Sequence, residues 1–243
     1  MKKSIFTLSM LFVLNFGLSQ VDKSYLSNRY SLERMGSLST GTNSVLPGLP
    51  ASSPEVMGDP FLKPNQAMGI LLLYNDQVFK DVYSKYDLIH DDLYFFTKQG
   101  TRVVAGTQVK SFILTDSLTR KLSTYINAKE FKMASGAPLI GFFEILYDGH
   151  TALLKRIEAT INKANYNVAL SVGRRDHTIA KKIIYFYLTG NVATELPAKK
   201  LTTIFGNQQE KIDRFIKVNG LNVKDERHLI LVFEHYNQLE PNN

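Results

Sequence analysis

Cysteine is missing from the whole 243-residue chain, and its absence excludes several kinds of structure and chemistry. Disulfide bonds, thiol nucleophiles and thiolate metal sites all require cysteine. A lipoprotein signal also needs a cysteine to accept the lipid. We therefore expect a fold that is held together by packing and hydrogen bonds, in a chain without a lipid anchor.

Long apolar runs are also missing after the first eighteen residues. A helix that spans a bilayer needs about 20 mostly apolar residues, and no later stretch comes close to that length. We expect no transmembrane span and a soluble product once the N-terminal segment is removed.

Familiar catalytic motifs are absent too. The chain contains no G-x-S-x-G nucleophile elbow, no H-E-x-x-H zinc signature, no Gly-rich phosphate loop and no dinucleotide fingerprint. We predict no cofactor. An enzyme is the less favoured interpretation, although an unrecognised hydrolase stays open.

The N-terminus has the pattern of a cleavable secretory signal over residues 1–19. Lys2 and Lys3 precede an apolar stretch from Ile5 to Leu18, and the small residues Gly17 and Ser19 occupy the positions that signal peptidase reads. The stretch is too short for a spanning anchor. We predict export to the periplasm or the cell exterior.

The formal charge of +7 is modest, and removal of residues 1–19 with two lysines lowers it to +5. The basic residues are scattered among acidic ones and do not form a basic face with interleaved aromatics, which nucleic-acid binding would favour. We expect no nucleic-acid partner. A weak attraction to anionic envelope surfaces fits this charge.

Composition divides the rest of the chain into three parts. Residues 20–66 are rich in Ser, Gly, Pro and Asn, and they bury too little apolar surface to offset their ordering entropy. We predict a disordered leader there, whose last part, Met57–Leu62, is less polar and able to pack on the domain. Residues 67–197 are predicted to form an antiparallel β domain, and residues 198–243 a helical tail packed on the sheet.

Short strand patterns separated by tight turns run through the middle part. Asp148-Gly149 is the strongest turn signal because this pair suits a type I′ hairpin, and Asn75-Asp76 tolerates the positive φ that such turns demand. About eight to ten strands result. The fold class is α+β: an antiparallel meander, a partly closed barrel or a sandwich, followed by two short C-terminal helices.

The tail changes to the helical period of 3.6. Apolar residues from Leu201 to Ile216 share one face, with an interruption near Gly206. A second helix is predicted to begin at Asn222, with Asp225 in a position typical of a capping box. Neither helix would be stable alone, so both must pack on the sheet or on each other.

The densest polar cluster lies between two strand candidates and contains Asp87, His90 and Asp92. Carboxylate and imidazole groups are ligands for divalent cations, so these three residues are a candidate metal site. The favoured interpretation is simpler: Asp side chains at the end of a strand bond the local backbone and form a turn.

A second candidate site contains Arg174, Arg175 and His177. Two guanidinium groups beside an imidazole are able to hold a carboxylate or a phosphate. As an exposed loop between strands the same residues need no ligand.

Several motifs together resemble a family of uncharacterised exported proteins that is common in Bacteroidetes bacteria. The resemblance covers residues 57–239 and implies an envelope location and a β-rich domain with a helical tail, without any known activity or functional residue. The long Ser/Pro-rich leader departs from the family pattern. The motifs that carry the resemblance are Gly58–Leu62, Lys85–Leu88, Asp92-Leu93, Val109–Phe112, Glu144–Gly149, Leu153–Arg156, Ile212, Phe215–Lys217 and Tyr236-Asn237.

Three functions fit these observations. The preferred one is a non-enzymatic envelope protein that binds a protein, a glycan or a surface, because aromatic residues are plentiful in the strand candidates. The second is a carrier of a small apolar ligand in a barrel-like pocket, which requires a cavity of roughly 300 Å³ or more. The third is a hydrolase that uses residues 87–92.

Overall fold

Thirteen β-strands and two α-helices form the described part of the chain in a computed structural model. It describes residues 46–47, 56–98, 100–165, 170, 172, 176–197, 199 and 201–239. The helices are α1 (Gln209–Val218) and α2 (Glu226–Leu239), and a 3-10 helical segment at Leu201–Gln208 precedes α1. The strands are β1 (Leu46–Pro47), β2 (Val56–Met57), β3 (Ala67–Leu73), β4 (Val78–Asp87), β5 (Asp92–Thr97), β6 (Gly100–Ala105), β7 (Val109–Thr115), β8 (Leu122–Asn127), β9 (Lys132–Met133), β10 (Phe142–Tyr147), β11 (Thr151–Asn162), β12 (His177–Thr189) and β13 (Val192–Glu195).

All the strands belong to one sheet, in the order β1-β6-β5-β4-β3-β7-β8-β10-β11-β12-β13-β9, with β2 paired to β12. Two antiparallel meanders, one from β3 to β6 and one from β7 onward, meet where β3 pairs with β7. The two pairs β2–β12 and β9–β13 are parallel. The α+β class and the two C-terminal helices are confirmed, but the sheet of the described residues is mixed and does not close. The predictions of a single antiparallel meander and of a partly closed barrel therefore do not describe this sheet.

Tight turns hold the hairpins together where the sequence predicts them. Asp76 has a φ of 63° and Gly190 a φ of 59°, so both occupy the left-handed region that short hairpins require. At Asp148-Gly149 a hairpin joins β10 to β11, but neither residue has a positive φ, so the predicted type I′ turn does not form. Gly149 is needed for another reason: a Cβ there would lie 2.7 Å from Oδ1 of Asn237 in α2. This contact fixes the β10–β11 turn against the last helix.

The longest pairing in the sheet joins β11 to β12. Its register is unbroken from Thr151 opposite Thr189 to Asn162 opposite Thr178. Because successive side chains in a strand point to opposite faces, β11 presents Leu153 to one core and Leu154 to another. One strand therefore carries both layers that cover this half of the sheet.

Three main apolar clusters stabilise the two halves of the sheet. The first lies mostly within β3–β8 but includes Phe142 of β10, and Phe112 at its centre is stacked on Tyr125 at 4.6 Å. The second surrounds Phe143 and Phe186 and takes in Phe131 from the segment after β8. In the third, helical residues pack on Leu153; they are Phe205, Ile212, Leu229, Val232 and Phe233.

The helical tail begins and breaks in specific places. Gly206 has a φ of 51° inside the 3-10 segment, at the predicted interruption. The last helix begins at Glu226, after the predicted start at Asn222. Asp225 is the residue that caps it, because its Oδ1 accepts hydrogen bonds from the backbone N–H of Arg227 and His228. Asn222 instead closes a turn by accepting from Lys224 N.

Residues 56–62, placed in the leader by composition, pair with the sheet at both of their ends. Val56 and Met57 pair with the beginning of β12, and farther on Leu62 N donates to Tyr86 O while Leu88 N donates to Pro60 O. The folded part therefore begins upstream of the boundary predicted at residue 66. The segment links β12 to the end of β4. The predicted signal at residues 1–19 lies outside the described residues.

None of the helices in the described ranges is long and apolar enough to cross a membrane.

Replacement of Asn237 by alanine tests how α2 is held to the sheet. The Asn237 side chain accepts from Thr151 N at 2.9 Å and donates to Thr151 O and Phe233 O. Since Thr151 is buried, its backbone groups would lose these partners without gaining water. We expect Asn237→Ala to lower the free energy of unfolding by about 1–3 kcal/mol, measured by urea denaturation.

Asn219→Ala is the matched control. Asn219 is exposed at the end of α1 and bonds only within its own turn, to Phe215 O. We expect a loss of no more than about 1 kcal/mol. Equal losses in the two variants would contradict a special role for Asn237.

Candidate functional site

A pocket of about 350 Å³ opens where the end of β4 approaches the middle of β11. Three stretches of chain form its walls: the β4–β5 turn, the segment that leads into β10, and β11. The lining residues are Tyr86, Leu88, Ile89 and Asp91, then residues 140–142, and residues 156–160. Apolar and polar side chains therefore face the same space.

Asp87 builds the turn at the end of β4. Its Oδ1 accepts from Ile89 N at 2.8 Å and from His90 N at 3.1 Å, and its Oδ2 lies 2.9 Å from His90 Nδ1. These bonds cap the backbone groups that the strand leaves unpaired. The turn then delivers Leu88 and Ile89 to the pocket wall.

Asp91 follows in the left-handed conformation, with a φ of 55°. Its backbone carbonyl accepts from Gly106 N, and its Oδ1 accepts from the Tyr86 hydroxyl at 2.6 Å. A Cβ on Gly106 would come within 2.2 Å of that Oδ1, so only glycine allows the approach. The backbone of Asp91 is thus held by Gly106, and its carboxyl group is held by Tyr86.

Arg156 lies on the opposite wall and is held in a similar way. Its side chain is only 14% exposed, and its Nη2 donates to Ile140 O at 2.8 Å. Nη1 lies 2.9 Å from Glu158 Oε1, yet it is buried and lacks the alignment of a hydrogen bond. Arg156 and Glu158 stand two residues apart on β11, so they share a face and form an ion pair.

Burial sets the protonation of the groups around Asp91. Burial raises the pKa of the Asp91 carboxyl, and the charge of Asp92 raises it further. The hydrogen bond from Tyr86 and the charges of Lys129 and Arg156 lower this pKa, but they do not outweigh burial. Burial and the Asp91 charge also raise the pKa of the Tyr86 phenol, so it stays protonated and donates.

The predicted metal site is a turn in which two of the three residues meet. Asp87 and His90 are hydrogen-bonded, and His90 is 52% exposed. Asp92 stands opposite Asp87 in the β4–β5 ladder. Throughout the residues that the structure describes, no group of three or more His, Asp or Glu side chains is placed to hold a metal ion. Asp87 has the backbone-capping role that the favoured interpretation gave it.

The predicted anion site is described only at His177. This residue begins β12, and its Nδ1 accepts from Ala164 N at 2.8 Å. His177 therefore fastens the end of β11 to β12. Arg174 and Arg175 lie outside the described residues.

A second polar cluster joins the sheet to α2. Lys155 Nζ lies 2.7 Å from Glu144 Oε2 and 3.0 Å from Glu226 Oε2, and the Tyr185 hydroxyl donates to Glu226 at 3.2 Å. Burial alone would lower the pKa of Lys155, but the two carboxylates outweigh it and raise that pKa. The groups of this cluster bond to one another, and through Glu226 they hold the first turn of α2 against the sheet.

The sequence pointed to residues 87–92, which contain the lining residues Leu88, Ile89 and Asp91, but it did not predict the opposite wall of the pocket. Tyr86 and Asp91 come from β4 and the turn after it, whereas Arg156 and Glu158 come from β11, which is far away in sequence. One signal was available: Arg156 and Glu158 are opposite charges at alternate positions of a strand with one predicted buried face. Because alternate positions share a face, this pair marks the polar face of β11, which the pocket uses.

Comparison of the chain with protein-family models, with curated proteins and with solved structures finds no match.

Asp91→Asn tests the burial of this carboxyl group. Asparagine tolerates the left-handed backbone, and its carbonyl oxygen accepts from Tyr86 as before. Because the folded pKa of Asp91 is raised, its protonated form contributes stability below the ordinary carboxyl pKa of about 4, and this contribution is lost as the pH rises through the folded pKa. We expect the stability of Asp91→Asn relative to the parent chain to increase from pH 3 to pH 7 in urea denaturation.

Asp116→Asn is a control with the opposite sign. Hydrogen bonds from Thr119 and Leu118 lower the pKa of Asp116, so its charged form contributes stability above the ordinary carboxyl pKa, and this contribution is lost as the pH falls. The relative stability of this variant should decrease from pH 3 to pH 7. A pH-independent difference for Asp91→Asn would show that this carboxyl group is not perturbed.

Proposed function

We propose that this chain is an exported, non-enzymatic binding protein of the cell envelope, and that it recognises its partner at the pocket between β4 and β11. The observation that carries the proposal is the way the pocket is built. Tyr86, Asp91, Arg156 and Glu158 are each held by a neighbour before any ligand arrives. Such preorganised polar groups give affinity because binding does not have to order them.

Export is supported by the secretory pattern of residues 1–19 and by the resemblance to exported Bacteroidetes proteins. The product is proposed to work in the periplasm or outside the cell. The absence of cysteine fits an unanchored protein there.

Binding without chemistry fits the charged groups of the pocket. A hydrolase needs an activated nucleophile or a carboxyl pair with one member free to transfer a proton. The Asp91 carboxyl accepts from Tyr86, and Glu158 is paired with Arg156. The hydrolase hypothesis also used Asp87. Its carboxylate is occupied by Ile89 N and by two nitrogens of His90.

The pocket volume alone favours the second hypothesis, a carrier of a small apolar ligand. The composition of the walls argues against it. An apolar ligand would remove water from Asp91, Arg156 and Glu158 without replacing the lost hydrogen bonds, which costs free energy for every group affected. A partner with polar groups of its own fits the walls better.

Affinity capture from envelope extract tests this proposal with two tryptophan variants. Thr160→Trp places a large ring at an exposed position of the pocket wall, and Leu118→Trp adds a ring of the same size to the β7–β8 turn, where Leu118 is 92% exposed. We expect the parent chain and Leu118→Trp to enrich the same component, identified by mass spectrometry, and Thr160→Trp to lose it.

Enrichment that survives in Thr160→Trp would place the binding surface elsewhere and contradict the proposal. Turnover of the captured component during incubation would contradict binding without chemistry. Circular dichroism of both variants checks that neither has lost its sheet.

A further inference from the structure

We infer that the ligand of this pocket is a neutral sugar ring, presented as the terminal residue of an envelope glycan. This inference rests on the proposed function and names the class of partner. It comes from four features of the pocket: its hydrogen-bonding groups, its balance of charge, its apolar walls and its open side.

The hydrogen-bonding groups of the pocket include both donors and acceptors. Arg156 supplies N–H donors, Asp91 and Glu158 supply carboxyl oxygens, and Thr160 adds a hydroxyl group that does both. A sugar hydroxyl also donates and accepts.

The charges argue against an ionic ligand. A phosphate or carboxylate would approach Arg156 but meet the carboxyl groups of Asp91 and Glu158 in the same space. The carboxyl groups would attract an ammonium group, but the guanidinium of Arg156 would repel it. Hydroxyl groups bond to both signs of charge without adding one, so a neutral ligand rich in hydroxyls avoids both conflicts.

The apolar part of the wall suits the carbon face of a ring. Ile140 and Phe142 line the same space as the charged groups. A pyranose ring has C–H groups on its faces and hydroxyls around its rim, so it buries apolar surface while its rim bonds to polar side chains. At about 350 Å³ the pocket is at the small end of ligand sites, which suits one or two rings.

The open side of the pocket lets a longer chain leave. Ile140 is 64% exposed, and Thr160 is also exposed. A glycan with its terminal ring inside would therefore extend into solvent past these residues. This arrangement favours the end of a chain over an enclosed free metabolite.

Saturation-transfer NMR on the chain recovered after export tests the inference. The probes are glucose, galactose, mannose and N-acetylglucosamine, with inorganic phosphate and tetramethylammonium as ionic comparisons. We expect transfer to at least one sugar in the parent chain and in Leu118→Trp, and none in Thr160→Trp. Glu158→Gln keeps the shape of the wall but removes a charged acceptor, so we expect about a tenfold weaker affinity.

The outcomes separate this inference from the proposed function. No transfer to any sugar, or transfer that persists in Thr160→Trp, would overturn the sugar assignment. Binding of phosphate or tetramethylammonium that Thr160→Trp abolishes would also overturn it, while the pocket would remain a binding site. Loss of pocket-dependent capture from envelope extract, by contrast, would overturn the proposed function itself.

Discussion

The unbroken ladder between β11 and β12 is the constraint on which the rest of the molecule depends. It runs the full length of β11, so every side chain of that strand has a fixed direction and height. At one end, Leu153 and Lys155 receive the helices. At the other end, Arg156–Thr160 line the pocket. A shift of one residue in register would turn Lys155 away from Glu226 and Arg156 away from Ile140, and both the helical layer and the pocket would be lost.

Lys155 and Arg156 are neighbours on β11, and each belongs to a polar cluster. The two clusters differ in whether their groups are open to a ligand. Lys155 is enclosed by Glu144 and Glu226, and its charge is fully matched by the parts that it joins. Arg156 is held by Ile140 O and Glu158, but it also lines the pocket. The first arrangement stabilises the docking of α2, whereas the second offers a donor to a ligand. This difference is the physical basis for placing recognition at Arg156.

The sequence predicted the local features because they depend on neighbouring residues. The hairpin turn at Asn75-Asp76, the break at Gly206 and the helical tail are decided by residues within a few positions of each other. The order of the strands depends on distant partners, such as β3 with β7, and hydrophobic alternation does not encode it. The pocket was missed for the same reason, since Tyr86 and Arg156 come together only when the sheet is complete. The predicted metal site did not identify the pocket. Asp87 bonds the backbone of its own turn, whereas Asp91, farther along the same turn, lines the pocket.

Methyl NMR of isoleucine-labelled protein during titration with envelope glycans tests the central claim that this pocket is the binding site. Ile89 and Ile140 line the pocket, whereas Ile113, Ile126 and Ile212 are buried in the apolar clusters. We expect saturable shifts of the methyl groups of Ile89 and Ile140, with those of the three buried isoleucines unmoved. Saturable shifts confined to residues outside the pocket, or no shifts at all, would contradict it.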